Sequence, residues 1–312
     1  MFLKKGDLID IISPASSITK NDLAKIKLFL EANGLRARFH MGRELLLDKK
    51  QPHNFPSFLA EKRFEQLQFA LENKESKAVW CTRGGYGSVD LIPLLQASKK
   101  IAQNKIFIGF SDITSLGIFL QQSWNWEIIY GPMLNQLAQN KVSPSSKKMI
   151  LDLLFGKKTA LKYKLEAKNS YAKSSKTISA EVVGGCLSVL ATHFSTLNQI
   201  DFNDKILLLE DIDESGEKLD RYFSQLVQIM LANKSYPSAI LLGNYYLDVT
   251  SLIKKKNITF AIGKFVANLL QNKINIPIFE EKTKCLGHSK NIMPITIGKI
   301  AKISDNLLTQ NF

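Results

Sequence analysis

Three residue types from which a hydrolytic nucleophile is assembled, a serine, a carboxylate and an imidazole, recur in this chain where apolar runs give way to polar stretches. Ser111 follows the strand-like Ile106–Phe110 and precedes a helical pattern from Ile113. A serine there has two readings. It can cap the helix by accepting an orphan backbone N–H, or it can be a nucleophile held at a strand-to-helix turn, with the following N–H groups facing the attacked carbonyl. Glu210 closes the apolar run Leu207–Leu209, where a strand leaves its sheet and a carboxylate can orient a histidine. His288 follows Gly287 in the polar stretch Thr283–Gly298. His193, at the end of an apolar helix, is the rival histidine and reads as structural, while His40 and His53 lie in no partner motif. In chain order Ser111, Glu210 and His288 suit a nucleophile, an orienting acid and a base. The α/β-hydrolase elbow G-x-S-x-G is not met, because Ile113 stands at its last position.

Two further stretches carry chemistry. Thr82–Gly87, "TRGGYG", has a strand before it and a helix after it. Its glycines permit close backbone approach, yet neither a dinucleotide fingerprint nor a P-loop is present. Arg83 can pair with a carboxylate or stand as a surface arginine. The acidic run Asp211–Glu217 raises calcium, with glycine at the sixth place counted from Asp211, but Tyr222 occupies the twelfth, where a bidentate glutamate belongs. Four histidines without Cys/His clustering argue against zinc.

The elements that must position these residues alternate. Strands read at Leu8–Ser13, Leu35–His40, Lys77–Cys81, Ile106–Phe110 and Ile128–Tyr130, with helices at Asn21–Asn33, Ala60–Asn73, Val89–Gln96 and Ile113–Gln122. This alternation predicts an α/β fold with a parallel sheet, whose ligands bind beyond the carboxyl ends of the strands. Residues 141–179 turn rich in Ser, Lys and Asn and read as a connecting region, "KNSYAKSSKT" as a linker or loop. A second α/β unit follows, with strands Ala180–Val183, Lys205–Glu210 and Ala239–Leu242 and helices to about Phe194, over Lys218–Leu231 and near Thr259–Leu270. The expected division is 1–140, 141–179 and 180–312.

The 312 residues allow two sizeable cores, and 45% apolar content excludes a disordered chain. No apolar run reaches membrane-spanning length and no apolar core follows the initial lysines, so neither a membrane segment nor a signal peptide is expected. Three scattered cysteines, Cys81, Cys186 and Cys285, suit a reducing cytoplasm. The net charge of +14 is spread along the chain without interleaved aromatics, which reads as a lysine-rich surface and not as a nucleic-acid site, although it can attract an acidic small substrate.

In "GDLIDIISPAS", "TRGGYG", "IGFSDIT", "YGPM", "VVGGCLSVL", "LLLEDIDE…LDR" and "GH…MPITIG", taken in order, the sequence resembles the LD-carboxypeptidase family of serine peptidases, which includes microcin-immunity peptidases. The resemblance implies a flavodoxin-like amino-terminal domain and a smaller carboxy-terminal domain of mixed sheet. It implies Ser111 as nucleophile, Glu210 as orienting acid, His288 as base, and an oxyanion hole from the N–H groups of Gly85 and Asp112. It further implies a cytoplasmic homodimer acting on muropeptide tetrapeptides, with no metal or organic cofactor. A peptidyl-nucleotide antibiotic is the alternative substrate, for which Trp80, Trp124 or Trp126 would have to stack on a base, and a non-catalytic muropeptide binder is a third reading. Arg83, ahead of Gly85, is expected to meet the substrate's terminal carboxylate. Cys186 departs from the family, whose members usually carry Asn after the Gly-Gly pair.

Overall fold

Why the first half alternates strands and helices is visible in how each element ends. The computed structural model describes residues 1–40, 59–247, 266, 268 and 273–312. The first strand, β1 (Leu8–Ile12), is almost wholly buried. Helix α1 (Lys20–Ala32) starts on a capping box, with Thr19 Oγ1 accepting from Asp22 N–H at 3.1 Å and Asp22 Oδ2 accepting from Thr19 N–H at 2.9 Å. It stops at Gly34, where Leu35 N–H reaches back to the Leu30 carbonyl. Strand β2 (Arg36–Phe39), helix α2 (Ala60–Glu72), strand β3 (Ser76–Cys81), helix α3 (Ile92–Gln96), strand β4 (Ile106–Ile108), helix α4 (Thr114–Trp124) and strand β5 (Ile128–Tyr130) follow. Helices α5 (Leu134–Ala138) and α6 (Pro144–Leu154) complete the run.

These five strands are parallel in the order β2-β1-β3-β4-β5. That is the flavodoxin-like doubly wound order, whose direction of winding reverses between β1 and β3. A late strand, Ile295–Ile297 (β11 by its place in the chain), joins β5 antiparallel, with Ile295 opposite Tyr130. The sheet belongs to a unit formed by Met1–Thr159 and Lys290–Gly298.

The second unit comprises Ala160–Ser289 and Lys299–Phe312. Its strands are β6 (Ala160–Ala167), β7 (Ile178–Cys186), β8 (Ile206–Glu214), β9 (Ala239–Leu247), β10 (Ile278–Glu281), β12 (Lys299–Ser304) and β13 (Leu307–Asn311). They close into a seven-stranded mixed barrel, β10-β6-β13-β12-β7-β8-β9. The run β7-β8-β9-β10 is parallel, and β12, β13 and β6 are antiparallel to their neighbours. Helices α7 (Ser170–Ser174), α8 (Leu187–Ala191) and α9 (Gly216–Asn233) connect them. The expected fold class is therefore present, and closure of the second sheet is added to it.

Residues 141–179, expected as a connecting region, hold α6, β6 and α7. Strand β6 alternates strictly, with Leu161, Tyr163 and Leu165 buried and Lys162, Lys164 and Glu166 exposed. "KNSYAKSSKT" contains α7, whose Ala172 is buried, so it is not a free linker. The helix expected near Thr259–Leu270 lies outside the described residues apart from Val266 and Asn268, and His53 lies outside them too. Among the described residues no helix is long and apolar enough to cross a membrane.

Candidate active site

The loops after β1, β3 and β4 lie at the carboxyl ends of adjacent strands, beside the point where the winding reverses. Ser13 and Thr82 hydroxyls share a hydrogen bond of 2.6 Å, and Ser16 N–H donates to the Gly84 carbonyl at 3.3 Å. Ser16 Oγ accepts from Tyr86 N–H at 3.1 Å. Gly85 has φ +110°, and a Cβ on it would fall 2.2 Å from Ser16 Oγ, so both backbone and space require glycine there. Below the turn, the buried Arg63 of α2 donates to the carbonyls of Pro14 and Gly87, each at 2.6 Å, and pairs with Asp90 at 2.9 Å. One guanidinium thus ties the loop after β1 to the loop after β3. Sequence reasoning missed this tie, because Arg63 is one of several charges at the start of α2 and its partners are mostly backbone carbonyls.

Strand β4 ends at Ile108, and Ser111 opens a single 3₁₀ turn, Ser111–Ile113, before α4. Its φ is 63°, a left-handed conformation that costs a non-glycine residue about 1–2 kcal/mol. Strain of this kind concentrates at functional sites. The cap positions of the 3₁₀ turn and of α4 are Phe110 and Ile113, and neither supplies a side-chain cap. Asp112 is bonded to Ser88 in the loop after β3. Its Oδ2 accepts from Ser88 N–H at 2.9 Å, and its carbonyl accepts from Ser88 Oγ. Burial raises the Asp112 pKa above the ordinary carboxylate value. Ser111 N–H points to the Tyr130 hydroxyl at 3.4 Å. Arg83 is exposed, and its Nη1 lies 3.5 Å from the Ser17 carbonyl.

In the second unit Glu210 and His288 meet. Glu210 Oε2 accepts from His288 Nδ1–H at 2.7 Å and from His288 backbone N–H at 2.8 Å, and Glu210 has no solvent exposure. A carboxylate is an acceptor only, so Nδ1 carries the proton and Nε2 keeps the lone pair. Gly287 makes the approach possible: with φ +91°, its Cβ would stand 2.3 Å from Glu210 Oε2. Asn244 of β9 fixes the same loop, donating from Nδ2 to the His288 carbonyl at 2.6 Å and from its N–H to the Leu286 carbonyl at 2.7 Å. Burial works against the imidazolium, but the Glu210 carboxylate outweighs it through charge and hydrogen bond, so the His288 pKa is raised.

The acidic run Asp211–Glu217 is strand and helix start, not a loop: β8 continues to Glu214 and α9 begins at Gly216. Asp211 accepts from Ser188 N–H at 2.7 Å, from Ser188 Oγ at 3.0 Å and from the Cys186 thiol at 3.4 Å. Burial, then the neighbouring Glu210 charge, lifts its pKa to about 6. Cys186 is therefore a buried donor to Asp211. Among the described residues no group of three or more His, Cys, Asp or Glu can hold a metal ion. His193 is buried, and burial depresses its pKa to about 4. His40, which lies in no partner motif of the sequence, bonds Asp10 at 2.6 Å. Trp80, Trp124 and Trp126 are all core residues, and the indole N–H groups of Trp80 and Trp126 are taken by the Pro132 and Ile101 carbonyls.

Comparison with known proteins matches the LD-carboxypeptidase N-terminal domain over residues 9–131 and the LD-carboxypeptidase C-terminal domain over residues 179–303. A Rickettsia conorii protein named as a carboxypeptidase is 32% identical over 302 residues, covering 96% of this chain and 88% of that protein. The murein tetrapeptide carboxypeptidase of Pseudomonas aeruginosa is 26% identical over 310 residues, covering 96% and 94%. Among solved structures, the microcin C7 self-immunity protein MccF in complex with aspartyl sulfamoyl adenosine shares the fold, with a TM-score of 0.76 at 20% identity over 99% of this chain and 97% of that one.

Proposed function

The chain belongs to the LD-carboxypeptidase family and is a serine-type carboxypeptidase, a hydrolase; from that premise we propose that it releases the terminal D-alanine from the L-centre of muropeptide tetrapeptides, in the cytoplasm, during cell-wall recycling. The observation that carries the residue roles is the Glu210–His288 pair, a buried carboxylate on Nδ1 that leaves Nε2 able to take a proton. Ser111 is the nucleophile, strained at its turn, His288 is the base, and Glu210 holds that base in its working tautomer.

In this reading the Ser111 oxygen bonds to the scissile carbonyl carbon, the carbonyl π pair moves onto its oxygen, and the hydroxyl proton passes to Nε2. The N–H groups of Gly85 and Asp112 receive the oxyanion, each such donor typically contributing about 3–4 kcal/mol. Collapse breaks the C–N bond, and the departing D-alanine amine takes the proton from His288. Water repeats the sequence on the acyl-serine and restores the hydroxyl. Arg83, exposed two residues before Gly85, offers a guanidinium for the terminal carboxylate.

The test is incubation of the purified protein with a muropeptide tetrapeptide, with mass detection of tripeptide and D-alanine. Turnover by the wild type and its loss in Ser111→Ala are expected, and undiminished turnover by that variant removes Ser111 from the mechanism. A parallel arm offers a peptidyl-adenylate. Cleavage of that substrate alone moves the assignment to a detoxifying immunity peptidase, a reading its MccF-like fold accommodates. Binding of the tetrapeptide without cleavage would leave a muropeptide-binding protein.

A further inference from the structure

Two glycines in the turn after β3 answer to different demands. Gly85, at φ +110°, needs glycine for its backbone. Gly84 is buried and is not among the residues of positive φ, so its backbone accommodates an L side chain. What a side chain meets there is specific. A Cβ on Gly84 would stand 3.0 Å from Ser111 Cβ, 3.1 Å from Ser111 Oγ and 3.4 Å from the Asp112 amide nitrogen. A methyl group at that point touches the hydroxyl and the following N–H together. An acyl carbon bonded to Oγ, with its oxygen about 2.9 Å from an amide nitrogen, needs the space beside those same two atoms.

We propose that Gly84 is a positioning residue for acyl transfer: by carrying no side chain it keeps open the space beside Ser111 Oγ and Asp112 N–H in which the tetrahedral intermediate places its oxyanion. This deepens the reading above and rests on Ser111 being the nucleophile. Glycine at 84 thus answers to the space beside Ser111 and not to its own backbone conformation.

The experiment compares Gly84→Ala with Gly117→Ala, a control in α4 whose Cβ would meet nothing within 4 Å. Steady-state kinetics on the tetrapeptide, thermal melting and the rate of labelling by a small fluorophosphonate are measured for both and for the wild type. Gly84→Ala is expected to lower kcat by about a hundredfold or more, to leave KM within about twofold, and to slow phosphonylation in parallel, while its melting temperature stays near that of the wild type. Gly117→Ala should match the wild type in kinetics and labelling and melt no earlier than it. Unchanged kcat in Gly84→Ala overturns the proposal. So does a variant that fails to fold or melts much earlier, since the glycine would then be structural. Failure of the underlying reading looks different: the wild type resists the probe, or Ser111→Ala keeps turning over.

Discussion

A fully buried carboxylate that accepts both the ring and the backbone N–H of one histidine sets how that histidine titrates. In the role proposed for His288 the base must be neutral, so with its pKa raised by Glu210 it works only above that raised value. The acidic limb of kcat/KM is therefore expected above the ordinary histidine pKa of about 6.5. In Glu210→Gln the ring loses its counter-charge and burial acts alone, so the imidazolium is disfavoured. The limb should shift to lower pH while kcat falls by about 10²–10⁴, and a pH–rate profile of the two proteins reads both effects. A limb that stays in place in Glu210→Gln separates Glu210 from the titrating group. Ser111 and Glu210 were legible in the sequence as reactive types at the edges of apolar runs, and His288, in a polar stretch, was singled out with them as a candidate. Arg63, Asn244 and Gly84 were not. Arg63 and Asn244 act on backbone carbonyls far away in sequence, and Gly84 acts by what it lacks.

Between elements, the clearest single tie joins β1 to β2. Asp10 and Arg38 are register partners across the two strands, and Arg38 Nε donates to Asp10 Oδ1 at 2.6 Å while also pairing with Glu75 at 2.8 Å. Burial pushes the Asp10 pKa up, but hydrogen bonds from His40 and Arg38 outweigh it and hold it at about 2. A carboxylate depressed in the folded state stabilises above its unfolded pKa of about 4, and that stability is lost as pH falls through about 2. Asp10→Asn should therefore cost about 2 kcal/mol in urea unfolding at pH 7, with the difference closing towards pH 2. A constant difference across that range would mean packing, not charge, decides. The strands of the first sheet were readable because a buried parallel strand is a compact apolar run between turn residues. Strand β6 escaped because Lys162 and Lys164 on its exposed face interrupt the apolar pattern inside a stretch read as a connecting region from its Ser, Lys and Asn. Closure of the barrel by β10 against β6 was out of reach, since Phe279 and Ala167 are joined only by pairing across a long span of chain.

For the molecule as a whole, a net charge of +14 is the property a small acidic substrate meets first. Attraction by a diffuse positive surface acts on encounter and is screened by salt. On a free-acid muropeptide, kcat/KM is expected to fall about threefold or more between roughly 0.02 M and 0.5 M salt, with kcat unchanged. A neutral peptide ester should show no such loss, and equal behaviour of the two would remove the charge from substrate capture. The path of the chain carries a different consequence. The outer edge of β5 is covered by Ile295–Ile297, which arrives only after nearly all of the second unit's sequence. On a ribosome adding about 5–20 residues per second, Ile128–Tyr130 waits on the order of ten to thirty seconds for its neighbour. During that time a nascent sheet offers an unsatisfied row of amides and carbonyls to any other extended chain. The last strand to be synthesised for the first unit is thus also its guard against aggregation, and a message cut short before codon 295 would yield a polypeptide with that edge permanently open.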